Sequence, residues 1–300
     1  MCAHQPGGSH DPPPFTYAAP DSLEEALALL QQHGPMAKIL AGGHSLLPMM
    51  KLRLLEPEVL IDLRRVPGLS DIREENGYLH IGAMVREVEL EEHPLIREKY
   101  PLLHETTRWI ADPQVRNMGT VGGNLAHGDP GNDHPATMMA YDAQLVVVGP
   151  RGERVIPARE FFLDFYTTAL EPEEILTAIR IPTPPPRSGG AYEKLERKVG
   201  DYATAAVAVQ LSLAEDGTLS YVGIGLTNVA HVPLFAARSC AHLQGQRPTP
   251  EHIDEAARMA SEDCNPRSDL RGSVEYKRAM VRELTRRAFR RALERAQGGQ

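Results

Sequence analysis

Two short segments carry paired glycines beside small hydrogen-bonding side chains: Ala41-Gly42-Gly43-His44-Ser45 and Gly119-Thr120-Val121-Gly122-Gly123-Asn124. Glycine has no Cβ, so backbone N–H groups at such places approach an anion closely, and Ser45, Thr120 and Asn124 add further donors. A diphosphate is the ligand this chemistry fits. One Gly-Gly pair alone reads as a tight turn, whereas two such loops, each flanked by small donors, are better explained together as two sides of one cradle. Other nucleotide signatures are missing: no G-x-G-x-x-G opens a helix and no G-x-x-x-x-G-K-[ST] occurs. This disfavours a nicotinamide-type dinucleotide domain and a nucleoside triphosphatase.

The stretch His127-Gly128-Asp129-Pro130-Gly131-Asn132-Asp133-His134 places four candidate metal ligands within one short loop. Metal shells usually draw on a regular scaffold and on distant ligands, and the interspersed Gly and Pro make this a turn. A polar loop that sets Asp129 or Asp133 on a cofactor is the competing and preferred reading. Nucleophilic catalysis has little support, because Ser45 beside His44 lacks an elbow motif and no cysteine has a neighbouring His. His80, His93 and His104 are expected on strand, turn and helix surfaces. Three cysteines, Cys2, Cys240 and Cys264, are too few for a disulfide framework or for the thiolates of an iron–sulfur cluster. Any redox centre is therefore an organic cofactor or belongs to another chain.

Several elements position these loops. Ser22 and Glu25 have capping-box spacing, Leu23, Ala26, Leu27 and Leu30 follow at helical spacing, and His33-Gly34-Pro35 stops the helix. Strands are expected at Lys38–Ala41, running into the first loop, and at Val59–Leu63. A second unit begins near residue 69 with a hairpin, Leu69–Arg73 and Tyr78–Gly82, turned at Asn76-Gly77. Helical segments at Arg86–Glu92 and Leu102–Ile110 lead to the second glycine loop. Strands at Gln144–Val148, turned at Gly149–Gly152, and at Ile175–Ile181 follow it. Pro182 to Gly190 reads as a linker. Beyond it, strands at Ala191–Arg197, Thr204–Leu213 and Leu219–Asn228 and helices at Glu251–Asp263 and Val274–Ala296 make a third, α+β unit.

Composition sets the outer limits. The chain has 300 residues, enough for two or three domains, and its 42% apolar and 24% charged residues are those of a globular protein. No apolar run approaches a membrane span. A net charge of -8 argues against nucleic acid as a partner. The first 14 residues show no signal-peptide core and read as a disordered arm on a cytoplasmic protein. From Arg271 to Ala296 nine basic and three acidic residues leave a surplus of +6, so the remainder carries -14. That helix is either packed on one face and solvated on the other, or a basic docking face for an acidic partner.

Taken in order, Ala41-Gly42-Gly43-His44-Ser45-Leu46-Leu47-Pro48, Gly119 to Asn124, Gly128 to Asp133, Tyr192-Glu193-Lys194 and Gly200-Asp201-Tyr202-Ala203-Thr204 resemble the FAD-binding medium subunits of molybdenum hydroxylases. The branch serving aerobic carbon monoxide oxidation is the most similar, over about Phe15 to Arg295. The resemblance implies an α+β chain: FAD-binding subdomains of the vanillyl-alcohol-oxidase type at 15–68 and 69–186, then a C-terminal domain at 187–300 with a three-stranded antiparallel sheet and helices. It implies that Ile39, Leu40, Ala41, Gly42, Gly43, His44, Ser45 and Leu46, with Thr120, Val121, Gly122, Gly123 and Asn124, wrap the FAD diphosphate. Asp133 matches an acidic position that contacts the cofactor, and Leu176, Lys194 and Tyr202 match positions that approach the flavin. Ile110 stands where relatives can carry an aromatic ring.

The resemblance also implies partners. A large subunit would hold the molybdenum cofactor, a small one two [2Fe–2S] clusters, and the FAD here would pass electrons to an external acceptor; the missing nicotinamide-binding fingerprint favours a quinone or another carrier over NAD. A dimer of heterotrimers, in the cytoplasm or at the inner face of the membrane, is the implied assembly. No side chain of this chain need be catalytic. A xanthine, aldehyde or N-heterocycle dehydrogenase on the same scaffold is one alternative, and a flavin-free assembly subunit is another.

Overall fold

The computed structural model describes residues 11–298; most of the expected N-terminal arm, together with Cys2, lies outside the described residues. Ser22 starts α1 (Leu23–His33) as its spacing predicts: its Oγ accepts the Glu25 N–H at 3.1 Å while the Glu25 carboxylate accepts the Asp21 N–H at 3.0 Å. Three strands, β1 (Thr16–Ala18), β2 (Ala37–Leu40) and β3 (Val59–Asp62), lie parallel in the order β1-β3-β2. One face of this sheet packs on Ala26 and Leu30 of α1, the other on Met50 of α2 (Leu46–Lys51).

The second sheet is antiparallel throughout. Asn76 and Gly77, with φ of 52° and 80°, turn β4 (Ile72–Glu75) into β5 (Tyr78–Gly82), the left-handed pair that the dipeptide predicts. Six helices follow: α3 (Glu87–Glu92), α4 (Pro94–Lys99), α5 (Pro101–Trp109), α6 (Pro113–Arg116), α7 (Val121–His127) and α8 (His134–Ala140). Then come β6 (Gln144–Gly149) and β7 (Gly152–Pro157), a small ribbon of β8 (Phe162–Asp164) and β9 (Thr167–Thr168), and β10 (Ile175–Pro182). The sheet order is β4-β5-β10-β6-β7. The glycine-rich stretch from Gly119 to Gly131, expected to be a loop, therefore holds one short helix, α7, and α8 starts just beyond it at His134; both are too short for periodicity to reveal.

The expected linker is only partly one. Pro182 ends β10 and β11 (Ser188–Glu196) already includes Ser188, Gly189 and Gly190, so residues 183–187 alone make the connection. The third sheet also corrects the expectation of three strands. It has four: β11, β12 (Ala203–Leu213), β13 (Leu219–Thr227) and β14 (Leu234–Phe235), the last pairing with Gly225 and Leu226. Two residues carry no alternation, so β14 leaves no trace in the sequence.

Every residue of β12 is buried because both of its faces are covered. Ala206 and Ala208 join the core of the second unit, while Ala205, Val207, Val209 and Leu211 face α9 (Ala237–Leu243), α10 (Pro250–Asp263) and α11 (Val274–Ala296). Fully burying each Val or Leu contributes about 1.5–3 kcal/mol. On β13, a Cβ at Gly223 or Gly225 would stand 1.9 or 2.0 Å from the carbonyl oxygens of Ala140 and Ala136, so these glycines let α8 lie directly on the sheet. Helix α11 buries Val281, Leu284, Ala288, Phe289 and Ala292. Its cations pair largely inside the chain: Arg282 and Arg286 with Asp254, Arg287 with Glu283, and Arg291 and Arg295 with Glu105. No helix among the described residues is long and apolar enough to cross a membrane.

Candidate functional site

Strand β2 delivers the first glycine loop and α2 carries the chain away from it. Leu40, paired with Asp62, is buried, Ile39 and Ala41 are half-buried, and Gly43 takes a left-handed φ of 80°. Within the described residues the N–H groups of Gly42, Gly43, His44 and Ser45 donate to no other group, and the Ser45 side chain makes no capping bond. His44 is exposed and Leu46 opens α2.

The second loop is differently built. Asp112 caps α6, accepting the Val115 N–H at 2.9 Å, and Thr120 caps α7, its Oγ1 accepting the Gly123 N–H at 3.1 Å. The Val121 and Gly122 amides donate to the carbonyls of Val85 and Ala83 at 3.0 and 2.9 Å. Backbone donors without a partner thus lie mainly in the first loop. What the second contributes is Asn124, whose Oδ1 is buried with no hydrogen-bond partner among the described residues.

The loops are far apart in sequence and in direct contact in space. A Cβ on Gly42 would lie 2.4 Å from Met118 O and 2.7 Å from the Gly119 Cα, and one on Gly123 would lie 3.5 Å from the Ala41 Cβ. The two glycine loops thus lie against each other in space.

A second group of expected residues gathers around Asp133. This carboxylate starts α8 and is buried; its oxygens accept from Tyr192 Oη at 2.5 Å and from Lys194 Nζ at 3.0 Å. Burial holds its pKa above the usual carboxylate range against the opposing pull of Lys194. Lys194 also donates to the Trp109 carbonyl at 3.1 Å, one residue before the buried Ile110. Leu176 lies in the core beside α7, and Tyr202 is half-exposed with its ring against Gly131. Asp133 is accordingly spent on protein partners.

Asp129 is likewise spent, taking the Gly131 N–H at 2.8 Å and Tyr166 Oη at 3.1 Å; burial and this carboxylate push the Tyr166 phenol up to about 12. Among the described residues no three His, Cys, Asp or Glu are placed to hold a metal ion. Cys240 and Cys264 are buried, and burial pushes each thiol up to about 12. Sequence reasoning missed Glu87, which is buried against His134, and Glu196, which lies 3.8 Å from Lys194. An inward-facing Glu at the start of a helix has the same sequence signature as a solvated one.

Residues 13–184 match the family described as FAD binding domain in molybdopterin dehydrogenase, and residues 190–292 the CO dehydrogenase flavoprotein C-terminal domain. The chain belongs to the molybdopterin dehydrogenase FAD-binding family. Within it, the carbon monoxide dehydrogenase medium chain of Hydrogenophaga pseudoflava is 50% identical over 281 residues, 94% of this chain and 98% of that protein. The medium chain from Afipia carboxidovorans is 48% identical over 95% of this chain and 99% of its own length. Among solved structures, the Hydrogenophaga pseudoflava carbon monoxide dehydrogenase lacking the Mo-pyranopterin moiety superposes with a TM-score of 0.92 at 51% identity, covering 95% of this chain and 99% of that one. Quinoline 2-oxidoreductase from Pseudomonas putida 86 follows the same fold, with a TM-score of 0.88 at 34% identity over 96% and 99% of the two chains.

The residues present fit the family's cofactor. Free amides at Gly42 to Ser45 suit diphosphate oxygens, and the unpartnered Asn124 Oδ1 is an acceptor awaiting a hydroxyl or N–H donor.

Proposed function

We propose that this chain is the FAD-carrying electron-transfer subunit of a molybdenum hydroxylase of the aerobic carbon monoxide dehydrogenase type. The observation that carries the reading is the packing of two glycine loops into one cradle, with unspent amides on one side and an unspent Asn124 carbonyl on the other. Residues Ile39 to Leu46 and Thr120 to Asn124 would hold the diphosphate. Ile110, Asp133, Leu176, Lys194 and Tyr202 would line the approach to the ring, Asp133 and Lys194 acting by their paired charge. The divisions at 15–68, 69–186 and 187–300 separate the two cofactor-holding units from the C-terminal unit.

Bound FAD supplies an electron store that fills and empties in one- or two-electron steps. The chain's own part is to bind, orient and shield it. In the whole complex the reaction is CO + H2O → CO2 + 2H+ + 2e−. Oxidation takes place in a large molybdenum subunit, and electrons leave through a small [2Fe–2S] subunit to this chain and then to a quinone or similar carrier. The assembly is a dimer of heterotrimers in the cytoplasm or at the inner membrane face. The 50% identity to a carbon monoxide dehydrogenase chain, against 38% to the nicotine 6-hydroxylase medium subunit of Paenarthrobacter nicotinovorans, favours carbon monoxide over an N-heterocycle as substrate.

Purification of the chain with its partners tests this. A flavin band at about 450 nm that bleaches under carbon monoxide is expected. A colourless complex sinks the cofactor assignment, and a yellow one bleached only by a heterocycle or an aldehyde sinks the substrate.

A further inference from the structure

Two buried polar networks meet at one dipeptide. Glu87 Oε2 and His134 Nε2 lie 2.7 Å apart, with side chains 2% and 0% exposed. The His134 Nδ1 is buried without a partner, so among the described residues Glu87 is the ring's one hydrogen-bonding contact. Glu87 also touches the second glycine loop: its N–H donates to Gly119 O at 2.9 Å, and its Cγ lies 3.8 Å from where a Gly119 Cβ would stand. On the other side of the peptide bond, Asp133 is held by Tyr192 and Lys194 of β11. The Tyr192 N–H continues the network to Glu105 at 2.9 Å, which takes Arg291 and Arg295 of α11.

No Arg or Lys pairs with the Glu87 carboxylate among the described residues. A buried acid in that position depends on its single partner, because displacing either group leaves the other desolvated and unpaired. Asp133 and His134 are consecutive at the rigid start of α8, so a shift of one moves the other. The second loop and the third sheet are thus joined through hydrogen-bonded contacts with no exposed step between them.

We propose that Glu87, acting through His134 and Asp133, is a positioning residue that couples the diphosphate loop to the C-terminal sheet. Cofactor binding and the docking of β11 then strengthen each other, as linkage requires of any two coupled events. The inference rests on the reading of the two glycine loops as the FAD cradle.

The test is FAD titration of the full chain, purified with the subunits that accompany it, for the wild type, E87A, Y192F and the double variant. E87A is expected to weaken FAD binding about tenfold, the loss of one buried hydrogen bond, with E87Q restoring most of it. The double variant should depart from the product of the single effects by about threefold or more, beyond the spread of independent sites. A double variant equal to that product overturns the coupling. Wild type that takes up no FAD overturns the cradle instead. Amide exchange on the FAD-free chain gives a second readout that needs no ligand: E87A should raise exchange at Gly119 to Asn124 and also at Tyr192 to Lys194, and E87Q should raise it much less at both. A rise confined to the first segment overturns the proposal.

Discussion

A buried carbonyl oxygen without a donor is a cost that folded chains seldom carry, and Asn124 Oδ1 is one. If FAD supplies the donor, N124A should weaken FAD binding about tenfold and leave the melting temperature of the FAD-free chain nearly unchanged; equal FAD affinity for the two proteins would contradict this. Glu196 carries a different kind of cost. Burial raises its pKa and Lys194 opposes the rise only in part. The native state therefore holds this proton to higher pH than the unfolded chain, and stability falls as pH climbs from the ordinary carboxylate value through the raised one. E196Q, neutral at every pH, should raise the melting temperature at about pH 8 and change it little at about pH 3, where both states are protonated. An equal shift at both values would assign the effect to packing. Asn124 is legible because it adjoins a glycine pair, whereas nothing near Glu196 in the sequence announces that its carboxylate is half-buried beside Lys194.

Loops acquire meaning from what they press against. Gly42 faces a backbone carbonyl, which cannot swing aside as a flexible side chain can. G42A should push the first unit off the second, lowering stability by about 1–3 kcal/mol as overpacking does and emptying the cofactor site. Denaturant titration with flavin quantitation reads both, and retained flavin would mean that the contact is not the hinge of the cradle. The long, strongly patterned elements were readable: α1 from its cap and apolar spacing, the β4–β5 hairpin from Asn76-Gly77, β12 from its apolar run. The helices α6, α7 and α8 were not, since four to seven residues give too few turns to show a period. For the same reason the sequence shows the helix opened by Thr120 as a loop with free amides, whereas Val85, Ala83 and Thr120 hold those amides.

The whole molecule is closed by charge as well as by packing. Glu105 on α5 accepts from the Tyr192 amide and from both Arg291 and Arg295. With the arginines 38% and 28% exposed, the cluster sits between a surface and a buried pair. E105A should cost about 1–2 kcal/mol, visible as a lower urea midpoint; an unchanged midpoint would show the cluster to be energetically idle. The sequence marked the basic helix as unusual yet could not say where its charge goes, because Glu105 is nearly two hundred positions away from Arg295.

The contact of Gly223 and Gly225 with α8 has a consequence for the covalent chain itself. All seven residues of α8 are buried, partly under the third sheet, while Thr183, Pro185, Pro186 and Arg187 of the short connection are exposed. Cleavage after Arg187 by limited trypsin treatment should therefore yield two polypeptides that co-elute as one particle; separation on gel filtration would refute it. The peptide bond joining the two family segments then serves stoichiometry more than architecture, guaranteeing that each half is made with one copy of the other.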